Sequence, residues 1–286
     1  MVESPRIRIT YEKIKFTKGK IICQISGTSY KKMNVNLEGY IIRKWWYAGK
    51  YIYIHIIKEN NPEYVIRTHM MMYGKILLDN ENENINPKLR AFMIMKLSQG
   101  NSCDQKSKKI ILSWYLSQIK LLDPNCEKII KTNYSECSSR KAILDSIKLM
   151  KYDLSNKNFN KKLYMSHLEE GINKYGNEIL TDFLLNQEYF PGVGNILQQE
   201  ALYKCKLLPT NLVKNTNMDE FNCLVYSLEN VIKLLYESYT RKNQGLPHIP
   251  IFEIYHKSYC PLGHKTITKY IGHRNRKTTW CPICQK

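Results

Sequence analysis

The tail constrains this chain most. Its last 28 residues read YCPLGHKTITKYIGHRNRKTTWCPICQK. Cys260 and His264 stand as C-x3-H, and Cys281 and Cys284 as C-x2-C. Two close-spaced ligand pairs, separated by a β-like stretch, supply three thiolates and an imidazole to one tetrahedron, the donor set of a closed structural zinc site. One zinc ion is expected. His273 is a rival for the fourth position, and His264 is preferred because it alone has a short-loop partner. Between the ligand pairs lies RNRKTT, so a metal-pinned hairpin would carry Arg274, Arg276 and Lys277 near its tip, positioned to grip phosphate.

The rest of the chain agrees with a polyanionic partner. Lys and Arg number 44 against 25 Asp and Glu, a net charge of +19 over 286 residues. That excess points to nucleic acid. No stretch reaches the length of a membrane-spanning helix, and the charged first twenty residues exclude a secretory signal. Nine cysteines is an odd count; outside the tail, Cys23, Cys103, Cys126, Cys137, Cys205 and Cys223 are scattered. That pattern reads as one metal site rather than a disulfide framework, and so as an intracellular reducing compartment.

Hydrophobic periodicity divides the chain. After a first helix, KIICQIS, KYIYIHII, EYVIRTHMMMYGKILL and KKIILSWYLSQIKLL are rich in β-branched and aromatic residues and read as strands, separated by the turn-rich DNENENINP and QGNSCDQKS. An antiparallel sandwich or barrel follows. SRKAILDSIKLM, KKLYMSHLEEGINKYG and NEILTDFLLNQ read as helices, and 218–236 most clearly, with apolar residues at helical spacing behind a Thr216 or Asn217 cap. The expected organisation is multidomain α+β: a β-sandwich with a leading helix over 1–137, a helical domain over 138–249 and a zinc-finger β-hairpin over 250–286. Within the helical part, FPGVGNILQQEALY places Gly192 and Gly194 in a turn ahead of a helix starting near Asn195, an anion site by geometry.

Several segments, in order and spacing, resemble the formamidopyrimidine/endonuclease VIII (Fpg/Nei) DNA glycosylases. They are VE at the head, AGK ending at Lys50, HMMMYG at 69–74, LLNQEYFPGVGN at 184–195 and RKTTWCPICQ at 276–285. The likeness is greatest to the endonuclease VIII-like branch that begins with valine. It implies a helix–two-turn–helix within the helical domain, a monomer, and damaged DNA, single-stranded or duplex, as partner. It also implies a bifunctional glycosylase and abasic-site (AP) lyase. Removal of Met1 would leave Val2 with a free α-amino group, whose reference pKa of about 7.7–8.0 leaves roughly a tenth of it neutral at pH 7. That amine attacks C1′, displaces the oxidised base and forms an imine, while Glu3 shuttles the proton of the ring oxygen. The imine acidifies the C2′ proton, and β-elimination cuts the strand.

By the same resemblance, Lys50 contacts the phosphate at the lesion and assists catalysis, Asn195 grips phosphate, and Arg276 binds phosphate and serves elimination. Met71, Met72 and Tyr73 form the apolar wedge that fills the stack when a base is everted. The chain departs from the family at Val2, where proline is usual, at Ser4, and in its Cys-His-Cys-Cys ligand set. It also lacks RRFG, the segment that fills the helix opposite the lesion, and SWYLSQIK stands in its place. A preference for lesions in single-stranded or unpaired DNA is therefore expected. The alternative is a non-enzymatic, zinc-containing nucleic-acid-binding protein, which would not need the head.

Overall fold

The computed structural model describes residues 3–78, 93–99, 103, 109–122 and 140–286, the side chains of 140–142 apart. The turn-rich DNENENINP segment lies outside them, as does most of QGNSCDQKS. The chain forms two compact units, Thr10–Lys148 and Glu3–Ile9 with Leu149–Lys286. Helix α1 (Ser4–Ile14) gives its first residues to the second unit and its last to the first.

The first unit is built from two four-stranded antiparallel sheets. One has the order β2 (Ile41–Ala48), β3 (Tyr51–Ile57), β4 (Tyr64–His69), β8 (Gln118–Leu122). The other has the order β1 (Ile22–Ser26), β6 (Met93–Ser98), β7 (Lys109–Tyr115), β5 (Lys75–Leu78). A short helix, α2 (Thr28–Lys31), follows β1, and α3 (Arg140–Leu149) closes the unit. Trp114 on β7 donates its indole N–H to Thr68 Oγ1 on β4 at 3.1 Å, and both residues are wholly buried. The bond crosses from one sheet to the other and satisfies both polar atoms of the shared core.

Two runs that read as single strands are each split by a tight turn. EYVIRTHMMMYGKILL becomes β4, a turn over 70–74, and β5. KKIILSWYLSQIKLL becomes β7 and β8 with only Leu116 and Ser117 between them, and Leu116 is left-handed (φ +47°). That two-residue corner moves the chain from one sheet to the other.

The second unit packs α4 (Lys161–Lys174), α5 (Leu180–Leu184), α6 (Asn195–Lys204) and α7 (Met218–Asn243) around Leu168, Phe183, Phe190, Leu197, Phe221 and Leu228. Asn217 caps α7: its Oδ1 accepts from Glu220 N–H at 3.0 Å, and Glu220 Oε2 accepts from Asn217 N–H at 2.8 Å. This capping box satisfies two orphan donors, and losing the cap costs about 1 kcal/mol. NEILTDFLLNQ yields only the five residues of α5. Its first N–H groups are drawn to the 209–211 segment instead, Leu180 to Asn211 O at 2.8 Å and Thr181 to Pro209 O at 3.1 Å. The tail forms the antiparallel hairpin β9 (Ile267–Ile271) and β10 (Arg276–Trp280).

The cysteine reading needs a correction. Cys23 is bonded to Cys103, and Cys205 to Cys223. All four scattered thiols among the described residues are therefore paired, across sequence separations of 80 and 18 that carry no recognisable spacing. A reducing compartment was inferred from unpaired cysteines and loses that support. Among the described residues no helix is long and apolar enough to cross a membrane.

Candidate active site and metal centre

Val2 lies outside the described residues. Its neighbour Glu3 is 4% exposed and fixed on several sides within the second unit. Its carbonyl oxygen opens α1, accepting from Arg6 and Ile7 N–H at 3.0 and 3.3 Å, and Ser4 N–H donates to Gly192 O at 3.1 Å. Its carboxylate Oε1 accepts from Ile196 N–H, in the first turn of α6, at 2.9 Å. The start of α1 is tied down by Arg6 over the ring of Tyr239 and Arg8 over that of Tyr236, at 4.8 and 4.3 Å, both tyrosines on α7.

The GVGN turn thus has a more particular use than the sequence indicated. Gly192 is left-handed (φ +83°), and a Cβ on Gly194 would run into the Glu3 carboxylate. The sequence marks this helix start as an anion site, and the N–H of Ile196, the second residue of α6, seats the chain's own carboxylate there, where negative charge is favoured. Asn195 is likewise engaged, its Nδ2 donating to Lys277 O at 2.9 Å, which uses one of its two amide hydrogens.

Three consecutive polar residues of α6, Gln198, Gln199 and Glu200, are at most 1% exposed. Gln199 binds β10 at two points, accepting from Thr279 N–H at 2.8 Å and donating to Lys277 O at 3.3 Å. The Glu200 carboxylate gathers the N–H groups of Glu253, Ile254 and Tyr255 at 2.9, 3.2 and 2.8 Å, holding the approach to the tail. Burial pushes its carboxyl above the usual range, against the pull of those three donors. The sequence reading assigned no role to these residues. The available signal was a polar run inside a stretch that also carries Leu197, Ala201 and Leu202.

Cys260, His264, Cys281 and Cys284 bring their ligand atoms within 4.8 Å of one another. The separations are 3.9 Å from Cys260 Sγ to Cys284 Sγ, and 3.6 and 3.2 Å from His264 Nδ1 to those two sulfurs. A tetrahedral zinc ion with bonds of about 2.3 Å to sulfur and about 2.0–2.1 Å to nitrogen demands edges of roughly 3.5–3.8 Å. The three edges among Cys260, His264 and Cys284 lie close to that shape, and the Cys281 sulfur lies within 4.8 Å of each of those donors. Gln285 braces it, accepting from Cys281 N–H and donating to Leu207 O, each at 2.8 Å. His273 is taken elsewhere: its Nδ1 lies 3.1 Å from Asp182 Oδ2. His264 is thus the histidine of the cluster.

The first unit carries Lys50 and the wedge residues. Ala48 pairs with Tyr51, leaving Gly49 (φ +57°) and Lys50 as the two-residue hairpin turn, whose first position needs that left-handed backbone. Tyr51 pairs in turn with His69, and the 70–74 turn follows at the end of β4. Met71, Met72 and Tyr73 are 48%, 53% and 69% exposed, a consecutive apolar tip rather than core. His69 Nδ1 accepts from Met71 N–H at 3.2 Å, and Met71 is left-handed (φ +48°).

His69 was not singled out by sequence. Burial first, then the nearby charges of Lys50 and Arg67, hold its pKa below the usual 6.5. The folded state therefore favours the neutral ring that the Met71 bond requires. The stability this contributes is complete above the usual pKa and is lost as pH falls through 6.5 toward the lowered value. His69→Gln is expected to remove that dependence. Thermal midpoints of the two chains should diverge at pH 7.5 and approach each other at pH 5.5; parallel curves would dismiss the latch.

No protein-family model matches the chain. It is 61% identical over 285 residues to Endonuclease 8-like L720 of Acanthamoeba polyphaga mimivirus, covering all of both chains. A crystal structure of a viral DNA glycosylase superposes with a TM-score of 0.89 at 60% identity over all of both chains. Lactococcus lactis Fpg, in a complex with DNA containing an abasic site, shares the fold alone, with a TM-score of 0.70 at 17% identity over 99% of each chain. Identity at that level over the whole length of both sequences leaves one assignment: this chain belongs to the Fpg/Nei family of DNA glycosylases.

Proposed function

We propose that the chain is a bifunctional glycosylase and AP lyase that removes oxidised bases from DNA, with the α-amino group of Val2 as nucleophile. The supporting observation is the seat of Glu3. A carboxylate one residue from that amine is buried, and its Oε1 is fixed by the first turn of α6. The amine nitrogen bonds to C1′ and the C1′–base bond breaks. The C1′–O4′ bond then opens, with Glu3 carrying a proton to O4′, to give the imine. Loss of the C2′ proton expels the 3′ phosphate.

Glu3→Gln keeps the acceptor for Ile196 N–H but cannot carry the proton. Imine formation should fall by about 10²–10⁴-fold, the usual worth of a general acid–base group. Borohydride trapping on an oligonucleotide with an oxidised pyrimidine measures this directly. Unchanged trapping would remove Glu3 from the chemistry.

The other roles are part of the same proposal. Lys50, Asn195, Arg274, Arg276 and Lys277 bind phosphate, and Met71, Met72 and Tyr73 occupy the gap left by the everted base. The cluster at Cys260, His264, Cys281 and Cys284 holds one structural zinc, which supplies rigidity rather than a reacting group. The division at 137/138 and 249/250, and an intracellular site of action, belong to this reading too.

A preference for unpaired lesions rests on the corner between β7 and β8. Two residues, of which Leu116 is 38% exposed, stand where the family's filling loop would extend. Turnover on one oligonucleotide, alone and annealed, is expected to favour the single strand. Faster excision from the duplex would refute this. A non-enzymatic binder would share the basic hairpin but leave no covalent adduct.

A further inference from the structure

We infer that Asp182 is a positioning residue for the hairpin arginine Arg276, acting by clamping the tip of the β9–β10 hairpin. This deepens the phosphate-binding reading of Arg276 and rests on it. Asp182 lies in α5 and is 2% exposed. Its Oδ2 accepts from His273 N–H at 2.9 Å and its Oδ1 from Arg274 N–H at 3.2 Å. The His273 ring closes on the same carboxylate, Nδ1 to Oδ2 at 3.1 Å. One buried carboxylate thus accepts from the backbone N–H groups of two consecutive residues of the turn, with the imidazole of the first beside it.

A buried carboxylate is tolerated only when its lone pairs are taken up, and here the hairpin turn takes them up. The sequence of the turn is fitted to this contact. Gly272 is left-handed (φ +71°), and a Cβ there would strike Asp182. Asn275, also left-handed (φ +46°), returns its N–H to Gly272 O at 3.1 Å and delivers the chain to Arg276, the first residue of β10. Farther along β10, Asn195 and Gln199 hold Lys277 and Thr279. Arg276 therefore stands between two anchored points, and its backbone cannot drift with the turn. The carboxylate is directed at backbone N–H groups and an imidazole, so it fixes the turn without neutralising the cation that must meet phosphate.

The inference is tested with the full chain and a single-stranded oligonucleotide carrying an abasic site, with zinc content measured in parallel. Asp182→Ala and Gly272→Ala break the same contact from opposite sides. Each is expected to weaken binding about tenfold or more, as for a lost charge-assisted hydrogen bond. Each should also lower the slope of log K against log salt by about 0.7, one phosphate contact on a single strand. One zinc per chain is retained. In an Arg276→Ala background either substitution should cost clearly less than in the parent chain, because the main contact it supports is already gone.

A purely stabilising role would reduce the folded fraction and leave the salt slope alone. An unchanged slope, or effects that add in full to that of Arg276→Ala, overturns the inference. Should Asp182→Ala lose zinc, Asp182→Asn and Gly272→Ala are read by the same two criteria. Arg276→Ala binding like the parent would sink the phosphate assignment itself; a weakened Arg276→Ala beside unaffected Asp182 and Gly272 variants would sink only the clamp.

Discussion

A chain that retains Met1, or carries an N-terminal tag, is expected to form no borohydride-stable adduct with an abasic oligonucleotide while still binding it. In the proposed mechanism the nucleophile is the amine of Val2, and Glu3 beside it is immobile. Ser4 is tied to Gly192, and the Glu3 carboxylate to Ile196. An added residue moves the amine away by about 3.3–3.6 Å, while the carboxylate stays. Displacement from reacting geometry of only about 1 Å can cost about 10²-fold, so a shift of this size should leave no measurable trapping. An acylated terminus has no nucleophilic lone pair at all. Affinity should hold within about threefold, because it comes chiefly from phosphate contacts elsewhere on the chain. A mature polypeptide shown by mass spectrometry to keep Met1, and nonetheless trapped at wild-type yield, would end the terminal-amine mechanism.

Local pattern carried the long α7 and its cap, most strands and the metal quartet, because each is written over a few neighbouring residues. The rest depends on partners far along the chain. Asp182 meets His273 91 residues away, and Gln199 meets Thr279 across 80. The run Gln198–Gln199–Glu200 looks like a solvent face, yet it is buried, and the hairpin and its approach supply partners for Gln199 and Glu200. Two strands escaped notice as well. IIRKWWYA of β2 mixes Arg43 and Lys44 into its first half, and MIMKLS of β6 is short and rich in methionine. The disulfides illustrate the same limit, since neither spacing distinguishes a bonded pair from two thiols. In the candidate active site, the motif is visible as GVGN, but its carboxylate partner is the third residue of the chain.

Loss of one metal ligand should have the second large effect. Cys281→Ala is expected to abolish zinc binding and reduce abasic-site cleavage at least to the level of Arg276→Ala. The apolar cluster at this end of the second unit consists of Tyr203, Ile254, Cys260 and Cys281, with Cys284 against it. Three of those five belong to the candidate metal quartet, so in this reading little core remains without the ion. Structural zinc contributes about 10–16 kcal/mol of apparent binding energy in zinc-finger peptides. The hydrogen bonds holding the hairpin, from Asn195, Gln199 and Asp182, contribute about 0.5–1.5 kcal/mol each, or about 1.5–3 where a charge is involved. They cannot replace the ion, and they weaken together once the hairpin's base frays. The helical cluster around Phe183, Phe221 and Leu228 contains no ligand and should survive, so far-UV helicity should change little while the hairpin is lost. Chelation of the unsubstituted protein should reproduce this state, and added zinc should reverse it. Full cleavage by a chain shown by metal analysis to hold no zinc would mean that Arg276 is not presented by the hairpin.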